Sequence, residues 1–354
     1  MQYWSDILGH QRVQSVLSRA IDGGRLHHAY LFTGPEGVGK FTTAQALAAT
    51  LNCERRPADT FAPSCGQCSS CRRIASRQHP DVLFIEPTGK SVRLIKIDQI
   101  RQLQKSAVSS PYEGRFRVVL IDDAHLLREE AANALLKTLE EPPARTILLL
   151  VTDQPHRLLD TIISRCQRVR FGSLSLETVA DALPRLLAHN DPEADDFDAD
   201  TIDPALFPVA AGYGEGSLGR SLAMLKSGML AERQQFLQEM LGLDPRSPIA
   251  WLDAAKGLAE SGSGFQEKLD VLTVFFRDLM LFKRTGTDRL VNQDLHELIA
   301  RIEPRFSMEA LLTTLDALMS ARRRLQGNVN SQLLAEELLD RLRNPQTRAL
   351  TPPA

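Results

Sequence analysis

Long apolar runs are missing from this 354-residue chain: no stretch approaches the roughly 20 residues that a bilayer-crossing helix needs. The first residues carry Trp4, Asp6, His10 and Arg12 where a signal peptide needs unbroken apolar sequence. The expectation is a cytoplasmic protein with no membrane partner. An excess of either charge is missing too, since 42 Lys and Arg face 44 Asp and Glu for a net −2. That balance excludes a protein that coats nucleic acid through its overall field and leaves only local basic patches. Five cysteines are too few for a disulfide scaffold of this length. With 21 glycines, 19 prolines and no internal repeat or low-complexity block, collagen-like and disordered classes are excluded as well. What remains is an ordinary globular chain, longer than one core fills, for which two or three domains are expected.

The first 170 residues alternate short apolar strands with helical patterns, the mark of an α/β parallel sheet covered by helices. Four runs read as buried strands: 28–33, 82–85, 117–122 and 146–152. Helical spacing follows at Thr42 to Leu51, at Ile97, Ile100 and Leu103, and at Glu129 to Glu140, where Pro142 and Pro143 end it. After Phe171 the strand signal disappears. Helices are expected at 174–189 and 217–229, separated by an acidic stretch, 191–203, that reads as a solvated loop. From Glu232 to Arg343 the pattern is helical, with breaks near 242–245, 261–264 and 286–288. The expected division is an α/β domain over 1–171, a small helical lid over 172–230, a helical domain over 231–345 and a tail over 346–354.

Gly34-Pro-Glu-Gly-Val-Gly39-Lys40 fits G-x4-G-K between a strand and a helix, the context of a phosphate-binding P-loop. Gly34, Gly37 and Gly39 let backbone N–H groups cradle phosphate, the helix dipole assists, and Lys40 neutralises charge. The next position, normally a Mg²⁺-binding Ser or Thr, is Phe41. The hydroxyl at Thr42 is turned about 100° around the helix. Asp122 and Asp123 end the third strand, where an active ATPase has an acid for Mg²⁺ and a Glu that orients water. Asp123 is one methylene short for that task and reads equally as a helix cap. The chain is therefore expected to hold phosphate, with ATP and Mg²⁺ left open, and not to hydrolyse it efficiently.

Cys53, Cys65, Cys68 and Cys71 are spaced C-x11-C-x2-C-x2-C. Four soft ligands without histidine suit a structural Zn²⁺ within a module over about 53–80, with no open position for catalysis. Cys166 stands apart. Arg72, Arg73 and Arg77, and Arg322, Arg323 and Arg324, lie on helical patterns without interleaved aromatics and read as solvated faces.

Several stretches together resemble the delta-prime family of bacterial DNA polymerase III clamp-loader subunits, within the AAA+ superfamily. They are Ile7 to His10, Leu26 to Pro35, the four-cysteine insert, His79-Pro-Asp81, Ala131 to Pro143, Ile163-Ser-Arg-Cys166, and Asn328-Val-Asn330 through Leu339. The resemblance implies an AAA+ domain, a lid and a helical collar. It implies a five-membered ring with gamma or tau motor subunits and delta, which loads a sliding beta clamp onto primer–template DNA. It places a sensor at Thr152 and a trans-acting arginine at Arg165, which would serve a neighbouring subunit's ATP. The motor subunits of the family carry GK[ST], Asp-Glu and a lid arginine. This chain has Lys40-Phe41, Asp122-Asp123 and Gly219 with Arg220 displaced by one, so the resemblance favours the stationary partner. Two alternatives are a self-sufficient ATP-hydrolysing motor and a zinc-dependent DNA-binding regulator.

Overall fold

The computed structural model describes residues 3–57, 60–89, 93–107, 110–188, 202–244, 246–262, 264–286, 290–325 and 329–343. Most of the acidic stretch, Asn328 and the tail lie outside the described residues. Among those described, no helix is long and apolar enough to cross a membrane.

Two compact units account for the chain. The first, residues 1–189 with Gly216–Gly219, is built on five parallel strands: β1 (Ala29–Thr33), β2 (Val82–Ile85), β3 (Arg117–Ile121), β4 (Thr146–Thr152) and β5 (Gln167–Arg170). Their order is β2-β3-β4-β1-β5. Every residue of β1, β3 and β4 is buried, because these are the three inner strands and both their faces are covered. Side chains alternate between two cores, Tyr30 and Phe32 facing one, Ala29 and Leu31 the other. The fifth strand had no counterpart among the expected four. Its sequence is Gln-Arg-Val-Arg, with only Val169 buried, so an edge position recruits it by backbone pairing to β1 without any apolar run.

Helices α1 (Gln11–Asp22), α2 (Lys40–Asn52), α3 (Ser69–Ala75), α4 (Ile97–Ala107), α5 (Glu129–Glu140), α6 (Asp160–Arg165) and α7 (Leu176–Ala188) surround the sheet sequence. Helix α2 is buried on nearly every side, which its Ala44, Ala46, Ala48 and Ala49 permit. Helix α5 stops at Glu140, just ahead of Pro142, as steric conflict with a following proline ring requires.

A buried carboxylate organises the approach to β3. Asp81 is fully buried and accepts from the backbone N–H groups of Tyr112 (2.7 Å), Glu113 (2.9 Å) and Gly114 (2.8 Å) and from Arg117 (3.2 Å). Burial pushes its pKa up, but these donors outweigh burial and hold the carboxyl below its ordinary value. Asp81→Ala takes the carboxylate away from the buried Arg117 guanidinium, which keeps the Ser106 and Ser110 carbonyls, and is expected to cost about 3–5 kcal/mol, read as a lower urea midpoint. A folded-state pKa below the unfolded one contributes stability that is present above the unfolded value, about 3.9, and is lost as pH falls through the folded value. The gap between wild type and Asp81→Ala should therefore close on acidification below about pH 4.

The second unit, residues 190–215 and 220–354, is helical among its described residues. It contains α8 (Leu206–Gly214), most of α9 (Leu218–Lys226), α10 (Met229–Leu241), α11 (Pro248–Glu260), α12 (Gly264–Thr285), α13 (His296–Ile302), α14 (Met308–Leu325) and α15 (Ser331–Arg343). The single helix expected at 217–229 ends instead at Lys226, because Gly228 takes φ 72° and α10 starts anew. Helix α8 escaped the sequence reading, since Leu-Phe-Pro-Val-Ala-Ala-Gly-Tyr-Gly carries one proline and two glycines. The 22-residue α12 packs against α10, α11, α13 and α14, and α15 against α11 and α14. A buried polar chain crosses this unit: Tyr213 Oη donates to Asn292 Oδ1 (2.8 Å), and Asn292 N and Nδ2 each donate to Asp278 Oδ2 (2.9 Å).

Candidate functional site: phosphate loop, cysteine cluster and Arg165

Sheet register assembles the first site. Thr33 of β1 lies opposite Thr152 of β4, and Ile121 of β3 opposite Leu150, so the carboxyl ends of three adjacent strands open side by side. The loop Gly34–Gly39 leaves β1 there, Asp122 and Asp123 leave β3, and Asp153 leaves β4. Ligands of open parallel sheets settle at such ends. Gly34 is obligatory: a Cβ would stand 2.3 Å from the Phe171 carbonyl oxygen.

Lys40 is buried and donates to the carbonyls of Gly34 (2.8 Å) and Pro35 (2.6 Å). Burial lowers its pKa, opposed by the carboxylates of Asp153, Glu36, Asp122 and Asp123. Burial, reinforced by Asp123, lifts the Asp122 carboxyl to about 6. Asp122 Oδ1 accepts from Asp123 N (3.0 Å). Asp123 takes φ 45° at the head of a short 3-10 turn and makes no side-chain capping bond, so its reading as a helix cap does not hold. Phe41 lies on the first turn of α2 with its ring 6.2 Å from that of Phe84, and the Arg77 guanidinium sits 5.2 Å from the Phe41 centroid. Thr42, half-buried, follows it.

Thr152 is buried at the end of β4, where its hydroxyl accepts from Gln154 N (3.0 Å) and lies 3.1 Å from His125 Nδ1. His125 Nδ1 is also 3.4 Å from Asp153 Oδ1. Burial lowers the His125 pKa against the pull of Asp153 and Asp123. Donor atoms of Asp123, His125 and Asp153 lie within 4.8 Å of one another. Sequence reasoning missed His125 and Asp153; their places directly beyond the acidic strand end and beyond Thr152 were the available signal.

Gly219 stands against the loop. Its N–H donates to the Gly37 carbonyl (2.9 Å), and a Cβ there would meet Gly37 Cα at 2.9 Å, closer than such atoms approach. Arg220 turns to other partners within the second unit, Glu215 (3.4 Å) and Asp270 (3.8 Å), and Asp270 also receives Arg322 (3.1 Å).

The second site is the cysteine cluster. Cys53 follows the end of α2, Cys65 and Cys68 lie in the turn before α3, and Cys71 is on α3. All four sulfurs lie within 4.8 Å of one another, and Cys65 and Cys71 are 4.0 Å apart. A tetrahedron of Zn–S bonds about 2.3 Å long has sulfurs about 3.8 Å apart, so the set fits zinc with little adjustment. Gln67 N (3.4 Å) and Cys68 N (3.3 Å) donate to the Cys65 sulfur. Burial works to raise the Cys65 pKa, but these donors and the neighbouring thiols bring it down to about 6. Outside the ligands, Glu54 accepts from Ser70 N (2.9 Å), and Ser70 Oγ lies 3.0 Å from His79 Nε2.

The third is Arg165, the last residue of α6. Its half-exposed guanidinium pairs with Glu140 (2.7 Å) and donates to the Thr161 carbonyl (3.0 Å), neither of which belongs to the phosphate loop. The other arginines singled out in the sequence are partly engaged as well: Arg73 with Glu113, Arg77 with Glu86, Arg322 with Asp270 and Arg324 with Glu337.

A parallel sheet ordered β2-β3-β4-β1-β5, with a P-loop after β1, acids after β3 and a polar residue ending β4, defines a P-loop domain of the AAA+ class. The chain belongs to the DNA polymerase III delta-subunit family, whose profile matches residues 9–175, with the C-terminal profile of that family matching 227–344. It is 32% identical to the DNA polymerase III subunit delta′ of Bacillus subtilis over 336 residues, 93% of this chain and 94% of that one. It is 34% identical to the tau subunit of Escherichia coli over 263 residues, 72% of this chain but 38% of that protein. A DNA polymerase III gamma-subunit-related protein of solved structure from Thermotoga maritima aligns over 95% of this chain and 99% of that one, at 19% identity and TM-score 0.44.

Proposed function

We propose that this chain is the stationary, delta-prime-type member of a cytoplasmic clamp loader, and not one of its motors. It completes a five-membered ring with gamma or tau and delta, which places the beta clamp on primer–template DNA. The division into an AAA+ domain to residue 171, a lid to 230 and a collar to 345 belongs to the same proposal, the collar holding the ring together. Cys53, Cys65, Cys68 and Cys71 hold one structural Zn²⁺, which would tie the end of α2 to α3. Arg165 is offered to the pocket of a neighbouring motor.

The observation that carries the stationary role is the phosphate site itself. A formed loop with Lys40 in place is paired with Phe41 where a metal-binding hydroxyl belongs, Asp123 where a glutamate orients water, and Gly219 where a lid arginine reaches phosphate. Each change removes transition-state stabilisation, and misplacement of a catalytic group by about 1 Å alone costs about 10²-fold. Isolated chain with Mg²⁺-ATP is expected to turn over at least about 10²-fold more slowly than a motor subunit. Steady turnover at motor rates, abolished by Lys40→Ala, would make the chain a motor. Co-purification with gamma or tau and delta tests the ring, and its failure would favour the zinc-dependent regulator.

A further inference from the structure

Three of the four clustered cysteines, Cys53, Cys68 and Cys71, are buried, and Cys65 is half-exposed. On the α3 side the cluster is backed by Ser70 and His79, both buried. His79 Nδ1 accepts from Asp81 N (3.1 Å), so the ring carries its proton on Nε2 and donates it to Ser70 Oγ (3.0 Å). Ser70 N in turn donates to Glu54, the neighbour of Cys53 (2.9 Å). Among the described residues, this leaves the Cys65 side as the approach to the sulfurs.

A segment about sixty residues earlier in the chain lies on that side. Tyr3 packs against the cysteines, and its ring rests on the turn that joins Cys65 to Cys68. Gly66, at φ 69°, permits the approach, since a Cβ there would stand 3.2 Å from Tyr3 Cε2 and 3.4 Å from Cδ2 and Cζ. Trp4 N donates to Ser64 Oγ (3.4 Å). Residues 3–6 therefore hold the residue before Cys65 by a backbone bond and cover the residue after it with a ring. Trp4 anchors the segment: it is buried in the core that includes α2, and its ring meets that of Phe61 edge-on with centroids 4.9 Å apart. Tyr3 N donates to Asp6 Oδ2 (3.1 Å) and Asp6 N to Tyr3 O (3.0 Å), which closes the 3-10 turn Trp4–Asp6 beneath the ring. A thiol reacts, and a thiolate-bound metal exchanges, only as fast as the incoming reagent or ligand gains access.

We infer that residues 3–6 form a strap over the cysteine site, with Tyr3 as cover and Trp4 as anchor, which limits how fast Cys65 and a metal behind it meet the solvent. The hold on zinc rests on the assignment of that metal to the four cysteines; the cover over Cys65 does not.

The test is alkylation of the reduced, undenatured full chain by iodoacetamide, mapped by mass spectrometry, together with release of zinc to excess EDTA followed by a colorimetric dye. Tyr3→Ala is expected to raise the rate at Cys65 at least about tenfold and to speed zinc release by a similar factor. Tyr3→Phe, which keeps the ring, should stay within about twofold of wild type in both. Unchanged amide exchange in β1 checks that Tyr3→Ala keeps the fold. In the wild-type chain, urea below the unfolding transition should raise Cys65 alkylation and amide exchange at residues 4–7 together, a comparison that needs no variant. Equal alkylation of Cys65 in wild type and Tyr3→Ala would overturn the strap. Faster alkylation with unchanged zinc release would overturn its hold on the metal. A wild-type chain without zinc would fail the metal assignment instead, and the alkylation of Cys65 would still decide the cover.

Discussion

Cys71→Ser should strip the chain of its metal and unfold the segment from Cys53 to Ala75, while Cys166→Ser leaves both metal and fold intact. The wild-type chain, purified reduced and undenatured, is expected to carry one equivalent of zinc. Cys71 is fully buried on α3, so the serine cannot reach water for compensation, and a tetrahedral all-thiolate site tolerates a hydroxyl poorly. The apolar contacts of the turn before α3 are those of the cysteines with Tyr3, and Arg55 donates to Gln67 across it. In zinc-finger peptides the metal contributes about 10–16 kcal/mol of apparent binding energy, most of it spent on folding, so loss of one ligand is a loss of the module. Because α3 leads to Arg77, the guanidinium stacked on Phe41 and Phe84 should loosen with it. Metal analysis and limited proteolysis measure both effects. Zinc below about half an equivalent in the wild-type chain, or full zinc retained in Cys71→Ser, would refute the assignment. Cys166, which burial alone pushes to about 12, has no other thiol in its surroundings and should be dispensable.

Arg165→Ala should leave an assembled complex that hydrolyses ATP and loads clamps poorly. Assembly is assigned to the helices from Glu232 onward, far along the chain from α6, so gel filtration should show an intact ring. An arginine delivered in trans stabilises charge on the phosphoryl oxygens and is worth about 10³–10⁵ in rate at the pocket it serves. Motors that draw their arginine from other subunits keep their own rates, so total DNA-stimulated turnover should fall to a fraction while coordinated loading falls at least about tenfold. Arg165→Lys should rescue little, since an ammonium lacks the bidentate fork. The pair with Glu140 is half exposed, contributes at most about 1 kcal/mol, and so does not prevent the side chain from reaching across an interface. Unchanged ATPase and loading rates in an intact complex would reduce Arg165 to a surface charge.

Much of this protein was legible in order along the chain. The inner strands announced themselves as continuous apolar runs because both of their faces are buried. The end of α5 was written by Pro142, the turn between β1 and α2 by Gly34 to Lys40, and the cysteine cluster by four cysteines close together in sequence. Each of these rests on local conformational preference or on side chains near one another in sequence, and the family resemblance drew on the same stretches.

What only the tertiary structure decided depends on contacts between distant residues. Strand β5 exists because β1 offers it an edge, not because Gln-Arg-Val-Arg favours a strand. Asp122 and Asp153 come near Lys40 because sheet order sets β4 beside β1 and β3 beside β4, and His125 meets Thr152 and Asp153 only through that order. The carbonyls of Val38 and Gly37 are met by His10 and Gly219, one from before the sheet in sequence and one from after it. Phe41 is locked by Arg77 and Phe84, and Arg220 is drawn to Asp270. Spacing determines which atoms a segment carries; the direction those atoms face is settled by burial, hydrogen-bond satisfaction and register, which no single segment contains.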